Sequence, residues 1–155
     1  MLMCATALTA CIIPTPLEQA AQEANDPPVL VPGTAQPPFG ELDLLSTTPV
    51  QIILDADDPN IGDTLTLRLF KPGSTGSLSR VYTGQEATMM APGVPDPDHP
   101  IRRRGGFQSL DFCGLFGPTT LFVVVADRPF STVAGHENEV PGGLYDEKAW
   151  DLRCQ

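Results

Sequence analysis

Residues 50–70, VQIILDADDPNIGDTLTLRLF, alternate apolar side chains with a period of two on either side of an acidic turn. Val50, Ile52 and Leu54 share one face of a first strand, and Leu65, Leu67 and Leu69 share one face of a second, because successive strand side chains point to opposite sides. Thr64, Thr66 and Arg68 occupy the other face of the second strand, the pattern of a sheet with one side in water. Ile53 sits on the other face of the first strand, which predicts partial cover on both sides there. Between the strands, Asp55 to Asp63 contains Pro59, Asn60 and Gly62. These three turn a chain for different reasons: a fixed φ, side-chain bonding to the local backbone, and tolerance of positive φ.

Further strands follow. Lys71-Pro72-Gly73 is a turn, Arg80 to Tyr82 a short strand, and Phe107 to Cys113 another. Thr119 to Asp127, TTLFVVVAD, is apolar on both faces and reads as a central, covered strand. Arg128 to Lys148 reads as a long loop, after which Trp150, Leu152 and Cys154 line one face of a last strand, opposite Asp151 and Arg153. The 155 residues include 17 Pro and 14 Gly, and helix-forming runs are scarce. Short strands between Gly- and Pro-rich turns predict an all-β sandwich of one domain.

The front of the chain differs in composition. Residues 12–45 are rich in Pro, Ala, Gln and Gly, with paired prolines at Pro27-Pro28 and Pro37-Pro38 that favour extended backbone. Residues 11–45 therefore read as a semi-rigid tether, with Val29-Leu30-Val31 as a first edge strand, and residues 46–155 as the folded domain. Residues 1–10 are apolar and small and end in Leu8-Thr9-Ala10 before Cys11. That segment resembles the lipobox of bacterial lipoproteins. The resemblance implies a signal peptide cleaved after Ala10, acylation of Cys11, and a membrane anchor, since each buried methylene contributes about 0.8 kcal/mol. It departs from the family in having no Lys or Arg ahead of Cys11 and only a short apolar run. Ile12 rather than Asp follows the cysteine, which by the family's commonest sorting rule implies the outer membrane.

The turn carries a second resemblance. Asp55-Ala56-Asp57-Asp58-Pro59-Asn60-Ile61-Gly62-Asp63-Thr64-Leu65 is similar to the corner between the second and third strands of bacterial immunoglobulin-like and cadherin-like domains. It implies an immunoglobulin-like β-sandwich and says little about function, because that fold hosts many roles. The motif occurs once, so no repeat array is expected.

Charge narrows the partners. A formal net charge of −10 disfavours nucleic acid, whose affinity comes from Lys and Arg on phosphates, and disfavours electrostatic attraction to anionic lipid. Four groups of residues are candidates for chemistry or recognition. Asp55, Asp57, Asp58, Asn60 and Asp63 offer closely spaced oxygens that suit calcium; turn formation by Asp and Asn explains the same residues. Asp96, Asp98 and His99 pose the same question more weakly. Cys113 and Cys154 pair as a disulfide if the chain is exported. Arg102, Arg103 and Arg104 offer guanidinium groups to an acidic partner or a phosphate, or else neutralise local acids. The histidines, His99 and His136, lie in polar loops, and no hydrolase motif surrounds them.

The expectation is an envelope lipoprotein, not an enzyme and without a cofactor, in which anchor, tether and rigid module present loops to a protein partner. A calcium-stabilised adhesion module is the first alternative and a small periplasmic hydrolase the second. Long loops on a rigid scaffold concentrate binding residues, so the acidic corner, Arg102 to Arg104, and Gly135 to Asp146 are the surfaces of interest.

Overall fold

The computed structural model describes residues 25–45, 49–73, 80–90 and 97–155, with Ser109 described through its backbone alone. The lipobox-like segment with Cys11, the tether before Asn25, and Asp96 lie outside the described residues. Eight strands are present among the described residues: β1 (Val29–Leu30), β2 (Gly40–Leu44), β3 (Val50–Asp57), β4 (Leu65–Pro72), β5 (Arg80–Met89), β6 (Arg102–Leu110), β7 (Thr120–Ala126) and β8 (Tyr145–Cys154). A short helix, α1 (Phe112–Phe116), joins β6 to β7.

The strands form two sheets, one in the order β1-β3-β6 and one in the order β2-β8-β7-β4-β5. Period-two alternation turns Ile52 and Leu54 of β3, Leu65, Leu67 and Leu69 of β4, and Leu121, Val123 and Val125 of β7 into one shared core. Each such side chain contributes about 1.5–3 kcal/mol by leaving water, so this inner layer holds the sheets face to face. Residues 58–64 carry the chain from one sheet to the other, so β3 and β4 flank a sandwich corner and not a hairpin. The result is an all-β sandwich of two sheets.

The tether boundary at residue 45 needs correction. β1 pairs antiparallel with β3, and β2 pairs in parallel with β8 from Gly40↔Trp150 to Leu44↔Cys154. Leu30 and Leu44 are buried in the core. Trp150, also buried, stacks on Phe39 at 4.8 Å and donates from Nε1 to the carbonyl of Pro37 at 3.1 Å. Extended, proline-rich backbone therefore serves here as edge strand, with one hydrogen-bonded side, and the domain begins by Asn25.

Arg102 to Arg104 lie on β6, not in a loop, and β5 runs to Met89. Met90 then exchanges both backbone hydrogen bonds with Arg104, at 2.9 and 2.8 Å, tying the two sheets along that side. Close approach of β6 to β3 depends on Gly106, where a Cβ would lie 1.9 Å from the Ile52 carbonyl oxygen. At the far end, Asp111 caps α1 by accepting from the Gly114 amide at 2.8 Å, and Cys113 bonds to Cys154 with the Cα atoms 5.7 Å apart. The predicted disulfide is present, and it staples β8 to the β6–β7 connection.

The outer face of β4 is not the solvated surface that its polar residues suggest. Residues 127–144 fold over it, burying Phe130 with Phe70, Val124 and Ala126 in a second, smaller cluster. Arg68 is only 7% exposed as a result. Cover on this side also explains why β7 is apolar on both faces.

Candidate functional site

Register brings the basic and acidic runs together. β3 and β6 are antiparallel, placing Asp55 opposite Arg104, Ala56 opposite Arg103, and Asp57 opposite Arg102. Arg104 donates from Nε and Nη2 to the two Asp55 oxygens at 2.7 and 2.9 Å, and Arg102 grips Asp57 the same way at 2.9 and 3.0 Å. Two bidentate pairs form a ladder on the outer face of the smaller sheet, a geometry that suits guanidinium and carboxylate. Asp55 is 2% exposed while Arg104 is 62% exposed. Burial alone would raise the Asp55 carboxyl, but the hydrogen bonds and charge of Arg104, with help from Thr34 and Arg102, hold it below the usual carboxylate range.

Arg103 points the opposite way, under the corner, and is buried. Its Nη2 donates to the Ile61 carbonyl at 2.7 Å, which fixes the turn from beneath. Above it, Asp58 accepts from the Asn60 amide at 2.9 Å through Oδ1 and is fully buried. Burial pushes the Asp58 carboxyl up, and the charges of Asp63 and Asp127 add to that against the opposing Asn60 amide and Arg103. Asp63 accepts from Arg128 at 2.9 Å. The second oxygens of Asp58 and Asp63 are both buried without a hydrogen-bond partner.

Two residues outside the predicted set complete this end. Asp127, at the end of β7, accepts from the Leu144 amide at 2.8 Å and from Asn25 Nδ2 at 2.6 Å. Asn25 in turn accepts from Asn60 Nδ2 at 2.8 Å. The incoming chain, the corner and the base of the 127–144 segment are thus one hydrogen-bonded unit. A polar cleft of about 360 Å³ opens between Asn25, Asn60, Asp63 and Arg128. Asp127 was legible only as a strand end, and Asn25 only as tether, because nothing local in either stretch encodes a contact across 102 positions.

The five-residue calcium set does not assemble. Asp55 and Asp57 face Arg104 and Arg102 on the sheet's outer surface, Asp63 faces Arg128, and Asn60 spends its amide on Asn25 and the Asp26 carbonyl. Among the described residues, no three His, Cys, Asp or Glu side chains converge on one ion as placed. The reading of Arg102 to Arg104 as a partner-binding surface also changes, since all three are engaged within the domain.

The histidines are apart and exposed. His99 accepts from the Arg102 amide at 3.1 Å through its backbone carbonyl. His136 Nδ1 lies 2.6 Å from Glu139, which raises its pKa above the ordinary imidazole value. Neither occupies the enclosed cleft that the hydrolase alternative requires.

Among the described residues, exposed apolar side chains at the corner end include Val29, which pairs with Asp57 at the end of β3, Ile61 in the corner, Leu144 just before β8, and Tyr145 at its start. Ile61 is 69% exposed and Tyr145 54%. No helix among the described residues is long and apolar enough to cross a membrane. No protein-family model matches the sequence, and no curated protein matches it.

Proposed function

We propose that the chain is an envelope-anchored lipoprotein, tethered through Cys11, whose corner end binds a protein partner. The observation that carries this reading is the group of exposed apolar residues at that end, Val29, Ile61, Leu144 and Tyr145, beside the point where the chain enters the domain. Apolar groups on a rigid, hydrogen-bonded rim are what protein interfaces use as anchors. The ladder beneath, with Arg102 paired to Asp57 and Arg104 to Asp55, supports that rim. Ile12 after Cys11 supports an outer-membrane destination by the commonest sorting rule of the lipoproteins that the segment resembles.

A photo-crosslinking residue at position 61 or 145, in the full chain in its native envelope, tests the binding surface. One discrete adduct at both positions, absent with the probe at Gln108 on the outer face of the smaller sheet, is the expected result. Equal capture at all three positions sinks the reading. The anchor is tested separately: Cys11→Ala should release the protein into the periplasmic fraction.

A second reading is favoured by the buried, unpartnered oxygens of Asp58 and Asp63. A calcium ion drawing them together with Asp127 would stabilise the corner and give an adhesion-type module metal dependence. Melting midpoints that coincide in millimolar calcium and in chelator remove this alternative.

A further inference from the structure

We propose that residues 128–144 form a strap that opens on Arg68 as a unit of its own, switching the outer face of the larger sheet between covered and exposed. The strap spans two adjacent antiparallel strands, β7 and β8, which need only a tight turn to be joined. Its length is therefore not a requirement of the sandwich. Its internal bonds are local: Ser131 donates to the Glu139 carbonyl at 2.8 Å, and Gly143 to the Val140 carbonyl at 3.1 Å. Its base is pinned by Asp127, which pairs with Leu144 through both backbone and carboxylate.

Between base and tip, the attachments to the sheet are few. Arg68 Nη1 donates to the carbonyls of Ser131 and Glu137 at 3.0 and 2.9 Å, spanning the tip from beneath. Its Nε is held by Glu86 at 2.5 Å, and its guanidinium lies between the rings of Tyr82 and Phe130, 4.5 and 4.8 Å from their centroids. Phe130 supplies the one fully covered apolar side chain of the strap, resting 6.0 Å from Phe70. The inner core does not include the strap. A segment with local bonds, Phe130 and Val140 as its apolar contacts, one guanidinium latch on two carbonyls, and an Arg128–Asp63 pair at its base opens at lower free energy than the sheets it covers. Opening uncovers Phe70, Tyr82 and Phe122, the last already beneath the Arg80 guanidinium at 4.3 Å.

Hydrogen exchange on the full chain tests this. In the unaltered protein, the Ser131 and Glu139 amides should exchange together and well ahead of the Leu67 and Val123 amides in the central strands β4 and β7. Arg68→Met should speed the strap pair by on the order of tenfold or more, as the loss of two charge-assisted hydrogen bonds implies, while their rates stay equal to each other. Phe130→Ala, made on the strap itself, provides the same readout where Arg68→Met fails to fold. Strap amides as slow as those of Leu67 and Val123, or unmoved by the substitution that folds, overturn the proposal.

Discussion

Arg104→Met should cost more than Asp55→Asn, although both break the same pair. Arg104 is largely exposed and its guanidinium can return to water; Asp55 is 2% exposed and its carboxylate cannot. Removing the arginine strands a buried charge, a loss of about 3–5 kcal/mol at neutral pH for a fully buried pair and toward the lower end here. Removing the carboxylate charge instead loses a net hydrogen-bond contribution of about 1–2 kcal/mol. The double variant should be more stable than Arg104→Met alone.

The pH dependence gives a sharper test. The Asp55 pKa is lowered in the folded chain below the ordinary carboxylate value, so its contribution is present above the unfolded pKa and is lost as pH falls through the folded one. In Arg104→Met, burial is the largest remaining influence, opposed only by the Thr34 hydrogen bond and the Arg102 charge, and the folded pKa is expected to move above the unfolded value. That stabilising contribution is then full below the unfolded pKa and disappears as pH rises through the new one. Urea denaturation carried from neutral pH to well below the unfolded carboxylate value reads both slopes. Equal costs for the two single variants, strict additivity in the double, or an unchanged pH slope would each refute the reasoning.

Replacing Cys113 and Cys154 together by Ala should lower unfolding free energy by about 4 kcal/mol, the chain-entropy value for a sequence separation of 41; a denaturant midpoint within error of the oxidised protein contradicts it. Gly106→Ala should disrupt the β3–β6 register rather than be absorbed locally, because the new methyl would meet the backbone of Ile52; a cost of about 3 kcal/mol or more is expected, and an unshifted thermal midpoint counts against it. Trp150→Phe removes the bond to the Pro37 carbonyl while keeping an aromatic ring over Phe39. A loss of about 1–2 kcal/mol, with faster hydrogen exchange in β2 than in β7, is the expected signature.

What the sequence displays plainly is alternation, and alternation was enough to place β3, β4, β7 and the end of β8 and to name their inward residues. Turn chemistry at Asp58, Asn60 and Gly62 located the corner. The disulfide followed from cysteine number and the expectation of export. Pairing across distance was not legible. Arg102 and Arg104 sit 45 and 49 positions from their acidic partners, and each run taken alone resembles a ligand site or a charged loop. Val29-Leu30-Val31 was legible as an edge strand, but proline-rich composition concealed β2, because edge strands tolerate residues that central strands exclude. Arg68 read as solvated because nothing in β4 announces that residues 127–144 will lie over it.

The parallel pairing of β2 with β8 has a mechanical consequence. β8 runs from the corner end to the far end, and β2 runs beside it in the same direction across five residue pairs. Tension applied between Asn25 and Cys154 would therefore pull along the strands, so those pairs resist together in shear instead of unzipping one after another. The bridge to Cys113 passes the load on to α1 and the β6–β7 connection. A chain held from its front and pulled from its last strand would yield only when the whole seam slips.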